Sequence, residues 1–166
     1  ELNNINVLIN EGQLENAKSL LEDFLSQHSD NIKAISMYID CLSQLSNFKE
    51  AEDFIKGLSK EFARDLKIKS SITKLDLKKR NNSKDSTEQL QINFDKNPQN
   101  IDNIIILSEK YFFEKEFDKA FIFLIDQYLK HQNNNQKKIK ETLLEFFNAL
   151  GNEDEYTKIY RKKFSS

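Results

Sequence analysis

One phrase, written three times, constrains this chain more than anything else in it. "GQLENAKSLLEDFL" at residues 12–25 returns as "SNFKEAEDFIKGLS" at 46–59 and as "KEFDKAFIFLIDQY" at 115–128. Each version has a polar opening, an apolar residue two places on, an alanine three later, and then apolar residues at helical spacing. Ala17, Ala51 and Ala120 stand 34 and 69 residues apart, and 69 is 34 plus 35. A fourth member therefore belongs near residue 85 or 86, where Ser86 supplies another small side chain. Further columns keep the same step: Leu21, Ile55, Leu90 and Leu124; Leu25, Ser59, Phe94 and Tyr128; Leu8, Leu42, Leu77 and Tyr111. Leu14, Phe48 and Phe117 form another column, whose remaining member is the polar Ser83.

A 34-residue period with this pattern resembles the tetratricopeptide repeat, a helix–turn–helix unit. The residue types suit that unit physically. Where antiparallel helices cross closely, only a small side chain lets the backbones approach, which accounts for the Ala/Ser column. The turn inside each pair favours glycine. Gly12 occupies that place first, and Ser46, Asn81 and Lys115 replace it later. Pro98, in "NPQN", has no N–H to offer and marks the break before the next repeat. With only three glycines and one proline, the chain lacks the turn residues that a hairpin-rich sheet needs.

The expected fold is all-α: a right-handed superhelical tetratricopeptide-like array of about four helix pairs with a C-terminal capping pair. Helices are expected near 2–11, 14–28, 31–45, 48–60, 63–80, 84–96, 100–114, 117–131, 137–149 and 153–164, with "NNNQ" at 133–136 as a polar link. These group as repeats 1–30, 31–62, 63–98 and 99–132 plus capping helices in 137–166, read as one domain over 1–166. The third repeat is degenerate, because its first helix carries Lys or Ser where bulky residues belong. Near the end, Gly151 suits a left-handed helix terminus, and Glu153, Asp154 and Glu155 suit the positive end of the next helix.

Charge excludes some functions. Acids and bases nearly cancel, leaving −2 in 166 residues, so no overall field holds nucleic acid or an anionic membrane. No run of about 18 apolar residues is present to span a bilayer, and no charged-then-apolar leader precedes the first helix. A lone cysteine fits a reducing compartment, so a cytoplasmic location is expected. The sequence opens without Met and partway into an expected helix, which reads as the C-terminal piece of a longer protein.

Catalytic chemistry finds little footing. Cys41 shares an i, i+3, i+4, i+7 apolar face with Tyr38, Leu42 and Leu45, which makes it a core residue and not a nucleophile. His28 and His131 sit at equivalent helix ends, where a ring complements exposed carbonyls, and neither has a companion with metal-ligand spacing. Glu50, Glu52 and Asp53 accompany Lys49 and Lys56 on a solvated face. "KIKSSITKLDLKKR" at 67–80 is locally basic but lacks aromatics set to stack bases, and reads as another solvated face. Arg161 to Lys163 favour their own helix C-terminus. No enzyme, cofactor or metal is expected.

What remains is the surface lined by the first helices of successive pairs. The residues expected to face it are Lys33, Ser36, Asp40, Gln44, Lys78, Lys79, Asp102, Glu109, Phe112 and Phe113. Of the two phenylalanines, either one packs inside while the other stands as an apolar anchor for a peptide, or both belong to the core. Some repeats of this class grip a C-terminal carboxylate with Lys, Asn and Arg. The corresponding positions are Leu2, Asn6, Met37, Ile68 and Ile72, and only the asparagine fits, so such a clamp is disfavoured.

The last stretch, "KKIKETLLEFFNALGNEDEYTKIYRKKFSS" at 137–166, resembles the C-terminus of bacterial thioredoxin-domain co-chaperones of the YbbN (CnoX) type. The matching residues are Leu143, Leu144, Phe146, Leu150, Gly151, Asp154, Tyr160, Arg161, Lys163, Ser165 and Ser166, with Glu155 where the family usually carries proline. "FDKAFIFLIDQYLKHQNNNQKKIKETLLEFF" looks like that family's final repeat and capping helix. The resemblance implies the repeat region of a thioredoxin-like co-chaperone whose N-terminal thioredoxin-fold domain is absent from these residues. Its implied partners are unfolded client proteins, Hsp70-type or chaperonin machinery, and that N-terminal domain. The alternative function is a non-catalytic scaffold for assembling an envelope or secretion complex.

Overall fold

The computed structural model describes residues 1–81 and 84–165. Ser83 and Ser166, named above, lie outside them. Among the described residues there are eleven helices and no strand. In chain order they are α1 (Leu2–Asn10), α2 (Leu14–Gln27), α3 (Ile32–Gln44), α4 (Phe48–Lys56), α5 (Lys60–Arg64), α6 (Leu66–Arg80), α7 (Thr87–Lys96), α8 (Ile101–Phe113), α9 (Phe117–Lys130), α10 (Asn133–Leu150) and α11 (Glu155–Ser165). The fold is a tetratricopeptide-like array of helix pairs.

Three of the pairs turn in the same way. Gly12, Ser46 and Lys115 take positive φ values of 79°, 60° and 61°. The next amide in each case donates back five residues: Gln13 to the Leu8 carbonyl at 2.8 Å, Asn47 to Leu42 at 2.9 Å and Glu116 to Tyr111 at 2.9 Å. A second bond closes each turn, from Gly12 to Ile9, Ser46 to Ser43 and Lys115 to Phe112. This is the Schellman helix end, which satisfies carbonyls that the helix leaves open. The glycine column and the Leu8/Leu42/Tyr111 column are thus the two halves of one hydrogen-bonded turn. Three of the first helices, α3, α6 and α8, are then launched by a short polar side chain. Asn31 accepts from the Ala34 amide at 2.9 Å, Asp65 from Lys67 at 2.8 Å and Asn100 from Asp102 at 2.9 Å, and such caps are worth about 1 kcal/mol each.

The chain gathers into two compact units, Glu1–Lys79 and Arg80–Ser166. In the first, α3 is central. Ala34, Tyr38, Cys41 and Leu42 pack with Ile5, Ala17, Leu21, Ala51 and Leu75, while Ile35 and Ile39 pack with Ile68 on another side. In the second, α8, α9 and α10 pack on one another around an aromatic core. Phe112 stacks on Phe146 with centroids 4.5 Å apart, and Phe121 stacks on Phe147 at 5.0 Å and on Tyr160 at 5.1 Å.

Several boundaries differ from the sequence reading. The helix expected over 48–60 ends at Lys56, and Ser59, whose Oγ accepts from the Phe62 amide, starts the separate short helix α5. Residues 133–136 are the first turn of α10 and not a link. Ser86 is exposed and caps α7, its Oγ accepting from the Gln89 amide at 3.1 Å. It therefore does not join Ala17, Ala51 and Ala120, all fully buried, at a close helix crossing. The cause is local: a serine able to bond the amide three residues on competes with the first helical turn, and α7 begins at Thr87. The Leu90 column keeps its register, at 2% exposure.

Candidate protein-binding surface

In the first unit the face in question is built by α3 and α6. Ser71 Oγ donates to the Ser36 carbonyl at 3.2 Å, Lys74 Nζ meets the Asp40 carboxylate at 3.4 Å, and Lys78 Nζ donates to the Gln44 carbonyl at 3.3 Å. Ser36, Asp40 and Gln44 recur at i, i+4, i+8 on one helix, and Ser71, Lys74 and Lys78 share a face of the other. Burial lowers the Lys78 pKa. Lys79 turns instead to Glu52 on α4, whose carboxyl the ammonium holds below its ordinary range. In the basic run 67–80, Lys67, Lys69, Lys79 and Arg80 are exposed, as expected of a solvated face, while Lys74, Lys78, Lys79 and Arg80 also have acidic or carbonyl partners.

In the second unit, α8 and α10 bound an open cleft of about 340 Å³, lined by Asp102, Ile105, Ile106 and Glu109 from α8, Lys138, Glu141, Thr142 and Glu145 from α10, and Arg80. The Arg80 guanidinium donates to Glu145 at 2.7 Å and, from the same nitrogen, to Glu109 at 3.5 Å. Burial pushes the Glu109 carboxyl up to about 7 against the pull of Arg80. Lys138 and Asp102 stand 4.0 Å apart. Ile105 and Ile106 are the apolar part of the lining, and charged side chains make up most of the rest.

The ten residues named from sequence distribute as follows. Lys33 and Gln44 are exposed, Asp40 and Lys78 half-buried, Ser36 buried and Lys79 turned to α4. Asp102 and Glu109 meet in the α8/α10 cleft. Phe112 is a core residue at 5% exposure, and Phe113 is half-buried, edge-on to it at 5.8 Å.

Cys41 is fully buried, its Sγ donates to the Leu14 carbonyl at 3.2 Å, and burial raises its pKa to about 11. The thiolate needed for nucleophilic chemistry is suppressed at neutral pH. The histidines are not used as expected. The His28 ring packs tilted against Phe24 at 4.6 Å, and the buried His131 ring bonds the Gln127 side chain at 3.2 Å instead of capping carbonyls.

Comparison with known families agrees with this geometry. A tetratricopeptide-repeat model matches residues 80–166, more than half of the chain, and a second matches residues 8–75. The chain belongs to the tetratricopeptide-repeat family. The two matched spans follow the two compact units closely. Repeats of this family form protein–protein interaction modules that are generally non-catalytic, and the chain is such a module. Among solved structures, a domain of a Vibrio parahaemolyticus protein of unknown function is similar over 99% of this chain and 95% of that one, at 19% identity and a TM-score of 0.45. No curated protein matches the sequence.

Membership in the tetratricopeptide-repeat family also explains which surface residues the sequence reading missed. Advancing Asp40 by 34 and then 35 positions gives Lys74 and Glu109, so a charge column was present for the first of these to be found. Arg80 ends α6, the first helix of the degenerate repeat, and stands 34 positions after Ser46 and 35 before Lys115, at the turn and not in a charge column. Lys138, Glu141 and Glu145 belong to α10, beyond the last repeat, where the period no longer holds.

Proposed function

We propose that this tetratricopeptide-repeat module is the interaction region of a cytoplasmic thioredoxin-fold co-chaperone of the YbbN type, holding unfolding clients or docking chaperone machinery. The observation that carries the reading is the terminal helix pair, because the residues bearing the resemblance also build it. Gly151 has φ 92° and ψ 161°, a backbone region open almost only to glycine. Asp154 Oδ1 accepts from the Tyr156 amide at 2.8 Å and starts α11. The Tyr160 hydroxyl donates to Asp118, and Arg161 lies over the Phe147 ring at 5.2 Å while donating to Asn152 at 3.0 Å. Of the matched residues, Gly151, Asp154, Tyr160 and Arg161 thus each have a specific structural job in the terminal cap.

The α8/α10 cleft suits the client-holding part of the reading. Its apolar lining, Ile105 and Ile106, takes aliphatic or aromatic side chains of an extended segment, and its charged lining bonds the segment's backbone and polar groups. The buried, protonated thiol of Cys41 fits a reducing compartment. The test uses the full reading frame. The purified protein is added to a thermally unfolding model enzyme, and light scattering is followed with and without it. Suppression at near-stoichiometric amounts is expected. Unchanged scattering, together with no measurable binding to purified Hsp70-type or chaperonin complexes, would rule the proposal out.

A further inference from the structure

We propose that Glu109 is the proton-binding element of a switch in the α8/α10 cleft: as a carboxylate it shares the Arg80 guanidinium with Glu145, and as a carboxylic acid it leaves Arg80 to Glu145 alone. The partnership is unequal. The Glu109 side chain is 5% exposed, yet its counter-ion is 52% exposed and lies at 3.5 Å. The same guanidinium nitrogen sits at 2.7 Å from Glu145, whose side chain is 29% exposed. The better-hydrated carboxylate therefore has the shorter bond, and the desolvated one the longer. A buried carboxylate with a distant and shared cation gains too little attraction to offset its lost hydration.

The other charges facing the cleft do not make up the deficit. Asp102 lies on the same helix. From α10 come Lys138, Glu141 and Glu145, and Lys138 is engaged by Asp102 at 4.0 Å. Arg80 comes from the end of α6, while α7 and α9, which also pack on α8, contribute no lining residue. Among the described residues, four carboxylates thus line the cleft with two cations. The carboxyl accordingly titrates near 7, well above the ordinary value of 4.5. The proton exchanges with solvent through the open cleft, and protonation lowers the cleft's negative charge by one. This coupling holds whatever partner the cleft takes.

The experiment is a pH titration of the folded chain by carbon-detected NMR between pH 4 and 9, following the Glu109 carboxyl carbon and the Arg80 side-chain nitrogen, with Glu109→Gln to assign the signal. The expected result is a Glu109 midpoint near 7 and an Arg80 shift with the same midpoint. Arg80→Met should raise the midpoint, because the cation favours the carboxylate. Glu145→Gln should lower it by about half a pH unit or more, because a like charge is lost and Arg80 is freed. A midpoint in the ordinary carboxylate range, an Arg80 signal that ignores it, or indifference to Glu145→Gln would overturn the switch. If Arg80→Met does not fold, Glu145→Gln decides alone.

Discussion

Lys74 Nζ lies 3.4 Å from the Asp40 carboxylate, and the two residues are 34 apart in the chain. One repeat length in sequence has become one ion pair in space. Ser71 with Ser36, 35 apart, and Lys78 with Gln44, 34 apart, repeat the relationship along the same two helices. Both members of the Lys74–Asp40 pair are partly exposed, so its net worth is small. A double-mutant cycle on Asp40→Ala and Lys74→Ala, read by urea denaturation, is expected to give a coupling of about 0.5 kcal/mol that shrinks in high salt. A coupling of zero at low salt would mean that the face is not held together by this ladder.

The Ala column makes a packing prediction. Ala17, Ala51 and Ala120 are fully buried at helix crossings, so Ala120→Leu should destabilise the fold by about 1–3 kcal/mol through overpacking. Ser86 should behave as a cap and not as a spacer. Ser86→Asp, which keeps an acceptor for the Gln89 amide, should be nearly neutral, whereas Ser86→Ala should cost about 1 kcal/mol. Equal sensitivity of Ser86 and Ala120 to enlargement would contradict the assignment.

The left-handed turns predict gains. Ser46 and Lys115 hold φ near 60° with a Cβ in place, a conformation that glycine adopts without steric cost. Ser46→Gly and Lys115→Gly should each stabilise by up to about 1 kcal/mol in chemical denaturation, with the steric gain partly offset by the freer unfolded chain. Gly12→Ala should act in the opposite direction. No neighbouring atom lies within 4 Å of a Cβ added at Gly12, so any loss there reports backbone strain alone.

How much of this was legible in the sequence depends on what each residue answers to. Positions that recur because every helix pair must close its turn or cross its neighbour, such as Gly12, Ser46 and Ala51, were readable, since one physical demand is repeated at one spacing. Ser86 misled because a small side chain serves both a close crossing and an N-cap, and spacing alone does not separate the two. The "NNNQ" segment misled because polar composition marks a link only when nothing extends the helix into it, and α10 extends through Asn133. Arg80 and Glu145 pair across 65 residues. No period joins them, so this charge pair of the cleft had no linear signature.

The pH dependence of stability has a definite sign. Glu109 titrates near 7 in the fold against an ordinary 4.5, so between those values the folded chain binds more protons than the unfolded one. Its contribution to stability is fully present below about pH 4.5 and is lost as pH rises through 7. Glu109→Gln, neutral throughout, should flatten that slope and leave the variant more stable than the parent above pH 7, by at most about 3 kcal/mol. Thermal melts from pH 4.5 to 8.5 check this. A variant that is less stable than the parent at pH 8 would show that the Arg80 attraction outweighs burial.

The central claim is that the first helices of these pairs carry the client-binding surface. Its most direct measurement is methyl NMR on the folded chain, labelled at isoleucine, during addition of a permanently unfolded polypeptide. The account predicts shifts at Ile105 and Ile106 in the α8/α10 cleft, with little change at Ile122 on the exposed side of α9 and Ile159 on α11. Shifts confined to Ile122 and Ile159, or no shifts at saturating polypeptide, would contradict it.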